Sequence, residues 1–71
     1  MSTFWASVEV EWLDGRTATY QVGGYARRHE AIRVNDGVLS LWMGNNAYLG
    51  PDHVASIPLD GVRKWHVKER P

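Results

Sequence analysis

The residues able to do chemistry in this chain are few and scattered. Glu9 and Glu11 stand two positions apart. On an extended strand that spacing puts both carboxylates on one face, about 7 Å from each other. Paired carboxylates at such separations serve in glycoside hydrolysis. That work also needs a pocket that raises one pKa, and nothing around Glu9 and Glu11 predicts one. A solvated strand face accounts for both. The histidines are His29, His53 and His66, and Asp52-His53 forms a close pair of metal-ligand types. No spacing matches a metal site with known mechanics, so no metal is expected. Ser7, Ser40 and Ser56 fall within expected strands and lack a nucleophile elbow. Gly23-Gly24 lacks the lysine and helix that turn a glycine loop into a phosphate cradle. The sequence therefore assigns no catalytic residue and no cofactor, and an enzyme is not expected.

Two groups of residues are suited to binding. Tyr25, Arg27, Arg28 and His29 mix an aromatic with bases near a loop, a combination that stacks on a nucleobase and holds phosphate. Lys64 and Lys68 add positive charge near the C-terminus. Against a nucleic-acid role stands the balance of eight Lys and Arg with eight Asp and Glu, since sequence-independent binders carry a basic excess. The second group is Trp42, Tyr48 and Leu49, in and beside a loop-like stretch at 44–53 that is long for so small a domain. Trp5 joins them because it is out of phase with Ala6, Val8 and Val10. Tyrosine and tryptophan are favoured interface anchors, and an outward Trp42 beside Tyr48 makes an apolar patch suited to a partner or a second copy.

Strands must position these residues. From 4 to 13 the chain alternates, with Ala6, Val8, Val10 and Trp12 on one face and Ser7, Glu9 and Glu11 on the other. This is the period of a half-buried strand. Asp14-Gly15 then predicts a tight hairpin with both central residues at positive φ, and 17–22 is the return strand. Residues 25–30 read as a loop, with one helical turn as the alternative. A short strand at 31–34, the turn Asn35-Asp36-Gly37 and a strand at 38–43 follow. A fifth strand covers 54–59, where Pro58 marks an edge or an end. Asp60-Gly61 is the third turn of its kind, and 62–67 closes the chain, with fraying by Glu69. The expected fold is one all-β domain over residues 1–71, a small five- to six-stranded antiparallel barrel or roll.

The terminal strands carry opposite charge. Residues 1–15 hold Glu9, Glu11 and Asp14 without a base, whereas 63–71 hold Arg63, Lys64, Lys68 and Arg70 against Glu69. Alternation puts Lys64, His66 and Lys68 on one face and Arg63, Trp65 and Val67 on the other. If the two strands are neighbours, the acidic row lies beside the basic row and neutralises it without any ligand.

The strand order, the Asp-Gly turns and the closing strand resemble the small barrels of the SH3-like and Sm-like kind. The pieces Val10-Glu11-Trp12-Leu13-Asp14-Gly15, Asp36-Gly37-Val38-Leu39-Ser40-Leu41, Ile57-Pro58-Leu59 and Val62-Arg63-Lys64-Trp65 resemble short uncharacterised β proteins of actinobacteria and their phages. Those pieces are strands and turns, so the resemblance implies a fold and carries no chemistry across.

The chain has no cysteine, which excludes a disulfide framework and cysteine-type zinc sites and fits a cytoplasmic setting. The N-terminal residues lack the pattern of a signal peptide, and no apolar run approaches the roughly 20 residues of a membrane span. The leading expectation is a non-enzymatic protein-interaction module, able to self-associate, acting through Trp42, Tyr48, Leu49 and Trp5. The alternative is a small nucleic-acid-binding barrel using Tyr25, Arg27, Arg28, Lys64 and Lys68.

Overall fold

A computed structural model describes residues 3–46 and 48–70. The chain is an all-β roll: six strands form one sheet that curls into a half-barrel. It comprises two meanders. In the first, β1 (Phe4–Trp12) lies between β2 (Thr17–Gly24) and β6 (Val62–Glu69), antiparallel to both. In the second, β4 (Val38–Gly44) lies between β3 (Ile32–Asn35) and β5 (Asp52–Pro58), again antiparallel. No helix among the described residues is long and apolar enough to cross a membrane.

The core follows from the alternation. Ala6, Val8 and Val10 are buried on the inner face of β1, while Ser7, Glu9 and Glu11 turn outward. Val22, Leu39, Leu41 and Ile57 complete the inner face, with Ala26 and Ala31 between the meanders. Trp12, Tyr20, Trp65 and Val67 pack half-buried at its margin. Two of the four tryptophans thus extend a core that nine fully buried side chains cannot finish, and Trp5 and Trp42 are left to the outer face.

One short contact joins the meanders. The end of β2 runs parallel to the end of β4, pairing Gly23 with Met43 and Gly24 with Gly44. The chains approach so closely that side chains do not fit. A Cβ on Gly23 would overlap the Phe4 carbonyl, one on Gly24 the Gly44 carbonyl, and one on Gly44 would stand 2.7 Å from the Ala26 nitrogen. Gly23 and Gly24 also have φ of +106° and +69°, a region that L side chains avoid.

Several turns depart from expectation. Asp36 and Gly37 have φ of 51° and 73°, as the two-residue hairpin demands. At Asp14-Gly15 only the glycine is at positive φ. The Gly15 amide bonds the Trp12 carbonyl and the Trp12 amide bonds the Arg16 carbonyl, a three-residue loop with the glycine left-handed. Asp60-Gly61 is no hairpin, because β5 and β6 do not pair. Residues Leu59–Gly61 form a 3-10 turn, fastened to the other hairpin by the Leu59 amide on the Gly37 carbonyl, 2.8 Å. Residues 25–30, read as a loop, contribute to one helical turn, α1 (Arg28–Ala31). It starts where the Glu30 carboxylate accepts the Arg27 amide at 2.9 Å, satisfying a donor that a helix start leaves open. The final strand does not fray by Glu69: that residue pairs with Ala6 and binds Arg28. The strand after the loop begins at Asp52, two residues earlier than 54.

Two expected outcomes follow. Gly23→Ala meets both a clash and a forbidden φ and costs about 3 kcal/mol or more, comparable to the whole stability of roughly 3–5 kcal/mol that such a core supplies. Thermal unfolding followed by circular dichroism will show the variant largely unfolded. Gly50→Ala, where a Cβ meets nothing within 4 Å, will melt with the wild type. The second concerns Asp14, whose carboxyl is held below its ordinary value by the Arg16 backbone amide and by the Arg16 guanidinium. Its folded pKa is the lower one, so its contribution is full above the ordinary carboxylate range and is lost as pH falls through the depressed value. Asp14→Asn removes that part of the acid limb of the stability–pH curve.

Candidate functional site

The glycine crossing also gathers the aromatic residues at one end of the sheet. Trp5 lies opposite Gly23, which offers no side chain beside it, and remains 46% exposed. Tyr25 follows shortly after, its amide bonded to the Gly44 carbonyl at 3.0 Å, and the residue is 48% exposed. The connection from β4 to β5 leaves Gly44 at the same point. There Asn46 accepts the Tyr48 amide at 2.8 Å through its side chain, a local turn of the kind asparagine favours. Asn45 donates to the Asp52 carboxylate at 3.2 Å, tying the start of the loop to the start of β5. Held this way, Tyr48 is 95% exposed and Leu49 71%. Tyr25 and Leu49 line one small cavity of about 160 Å³, with Ala26, Glu30, Asn46 and Pro51. Four exposed apolar side chains, Trp5, Tyr25, Tyr48 and Leu49, thus share one end of the molecule. The structure adds Tyr25, first singled out for nucleic acid, to the predicted apolar set.

Trp42 faces outward, opposite in phase to Leu39 and Leu41, yet it is covered. The Arg33 guanidinium lies 4.9 Å from its ring centre, and the His53 ring packs edge-on at 5.0 Å. Its indole Nε1 is buried and, among the described residues, has no hydrogen-bond partner. The cause is a bulge between Leu41 and Trp42. Leu41 pairs with Ala55 and Trp42 with His53, which leaves Val54 as the extra residue. The bulge also turns His53 and Ser56 towards each other, with Nε2 and Oγ 2.7 Å apart, though strict alternation would put them on opposite faces. The pair has the atoms of a base and a nucleophile. Among the described residues no carboxylate hydrogen-bonds the His53 ring, and the neighbouring Asp52 is bound by Asn45. The bulge's only trace in the sequence is a broken phase, and the Arg33–Trp42 stack left none.

The basic residues are dispersed, and Arg16, Arg28, Arg63 and Lys64 are paired with carboxylates. Arg28 bonds Glu69 at 2.6 Å and lies 5.8 Å from the Phe4 ring centre. Arg27 begins α1 and is exposed. The first and last strands are neighbours, the condition under which the acidic and basic rows lie side by side, and the register is informative: Glu11 faces Lys64, Glu9 faces His66 and Ser7 faces Lys68. Lys64 is 3.9 Å from Glu11 and His66 Nε2 is 2.6 Å from Glu9. Lys68 therefore meets a serine, not an acid. Arg63, assigned to the opposite face, also reaches Glu11 at 3.3 Å, because a second bulge at Glu11/Trp12 shifts the register. Lys64 and Lys68 sit toward opposite ends of β6, so Tyr25, Arg27, Arg28, Lys64 and Lys68 do not form one patch. Glu9, Glu11, Thr17, Thr19, Lys64 and His66 line a shallow depression of about 350 Å³ on the outer face. In it Glu11 is reached by Lys64 and Arg63, and Glu9 contacts the His66 ring. Among the described residues no three His, Asp or Glu side chains gather as a metal site.

No family model, curated protein or solved structure matches the chain.

The covered indole gives a test of its surroundings. Trp42→Phe keeps a ring under Arg33 and removes a buried donor that lacks a partner, a group that itself costs about 1–3 kcal/mol. Its stability will stay within about 1 kcal/mol of wild type in urea unfolding. Trp42→Ala loses the ring and leaves the bulge uncovered, and will cost about 2–3 kcal/mol.

Proposed function

We propose that this chain is a non-catalytic protein-interaction module whose contact surface is the aromatic end of the sheet, formed by Tyr48, Leu49, Tyr25 and Trp5. The observation that carries it is the near-complete exposure of Tyr48 and the high exposure of Leu49 on a loop held by its own hydrogen bonds. A domain with so small a core has strong reason to bury such side chains, and leaving four of them together at one end suits recognition better than folding. The surface joins exposed aromatic and aliphatic anchors with a small cavity lined by Tyr25 and Leu49. Trp42, covered by Arg33 and His53, supports the loop's base rather than offering a contact.

A second copy is the occupant best suited to this end. The chain carries zero formal net charge at pH 7, so no long-range repulsion opposes association. A nucleic-acid role draws less support, since Arg28 and Lys64 are each bound to a carboxylate.

Sedimentation across a wide range of concentration tests this proposal. The wild type is expected to associate, and Tyr48→Ser with Leu49→Ser to remain monomeric. The double variant's stability should lie within about 0.5 kcal/mol of wild type, as exposed sites allow. Wild type and variant sedimenting alike would remove self-association through this end.

A further inference from the structure

The strand β6 ends the sheet. It pairs with β1 on one side and, among the described residues, with no strand on the other. We propose that this free edge accepts an extended peptide segment of alternating acidic and apolar residues, added as an antiparallel strand. The inference is independent of the aromatic end.

The backbone register fixes which groups are available. The Arg70 amide bonds the Trp5 carbonyl at 2.9 Å, and antiparallel pairs alternate between bonded and non-bonded. The residues bonded to β1 are therefore 64, 66, 68 and 70, and Trp65, Val67 and Glu69 turn their N–H and C=O groups to the open side. A strand added there makes its hydrogen-bonded pairs with these three. Its other residues fall opposite Lys64, His66 and Lys68 as non-bonded pairs, in which the side chains approach most closely.

That row decides the chemistry. Lys64, His66 and Lys68 are all exposed, and Lys68 faces only Ser7 across the sheet. Acidic residues on an incoming strand would complete a third row beside them, as Glu9 and Glu11 do from the other side. On the inner face Trp65 and Val67 are half-buried at the margin of the core, and apolar residues of the incoming strand would cover them. The required pattern is one the protein itself uses: β1 runs Ala6, Ser7, Val8, Glu9, Val10, Glu11, Trp12 against the opposite edge.

The same charges disfavour a second copy in this position. Two β6 strands paired antiparallel about His66 would set Lys64 against Lys68, and like charges directly opposite repel. The remaining edges are poor alternatives. β3 has four residues, and β5 is bulged and ends in Pro58, both devices that blunt an edge.

The test titrates the nitrogen-15-labelled chain with a capped peptide of the β1 sequence, Ala-Ser-Val-Glu-Val-Glu-Trp. A matched peptide carries lysine at both glutamate positions. The expected result is amide shifts and slowed exchange concentrated at Trp65, Val67 and Glu69, with the acidic peptide only. Lys68→Glu, which breaks no ion pair among the described residues, should weaken binding by several-fold to about tenfold. The Tyr48→Ser/Leu49→Ser variant should bind the peptide like wild type, which separates this edge from the aromatic end. Absence of shifts, equal response to the lysine peptide, or shifts spread through β2 as the peptide displaces β1 would each overturn the proposal.

Discussion

The whole molecule depends on the close approach of two backbones. Gly24 and Gly44 pair where β2 meets β4, and Gly23 lies against the Phe4 carbonyl. Without that crossing, the chain is two three-stranded meanders, each with one apolar face and too little surface to bury alone. With it, the inner faces turn toward each other and Val22, Leu39 and Leu41 share one core with Val8 and Val10. The contact is only two residue pairs long, so it works through proximity rather than through many hydrogen bonds. Glycine is needed because the space is taken by main-chain atoms that cannot move aside.

The crossing also places what can recognise a partner. It brings the start of β1, the turn after β2 and the loop after β4 to one end, and each contributes an exposed apolar side chain. The outer face is handled differently. On the first meander, acids of β1 stand beside bases of β6; on the second, Arg33 and His53 cover Trp42. The outer faces thus carry the charged contacts between strands, and the exposed apolar residues Trp5, Tyr25, Tyr48 and Leu49 lie on a loop and at strand ends. Such surface ion pairs each contribute well under about 1 kcal/mol. Their larger effect is to set the register of neighbouring strands.

Much of the sheet was legible because its signals are local. The alternation through Val8, Glu9, Val10 and Glu11 sets a strand and its buried face, Asp36-Gly37 sets a hairpin, and the opposite charges of the terminal segments fit the pairing of the first strand with the last. Three features were not legible. The bulges at Leu41/Trp42 and Glu11/Trp12 each add one residue whose only trace is the broken phase it creates, and they decide that His53 meets Ser56 and that Arg63 reaches Glu11. The helical turn at Arg28–Ala31 is too short for a period, and only the placement of Glu30 three residues after Arg27 marks its start. Asp60-Gly61 has the composition of a hairpin turn but adopts a 3-10 turn, because the strands on either side pair with different partners. Exposure of Tyr48 and Leu49 agreed with their loop composition. The covering of Trp42 rested on Arg33, a residue on another strand.

The measurement that bears most directly on this account is native-state hydrogen exchange of the Tyr25 amide, which binds the Gly44 carbonyl at the crossing. If the crossing holds the two meanders together, this amide exchanges only through global unfolding, at the same free energy as Val8 in β1 and Leu41 in β4. Exchange of Tyr25 at much lower free energy than either strand would mean that the meanders part while each stays folded, and would contradict the account.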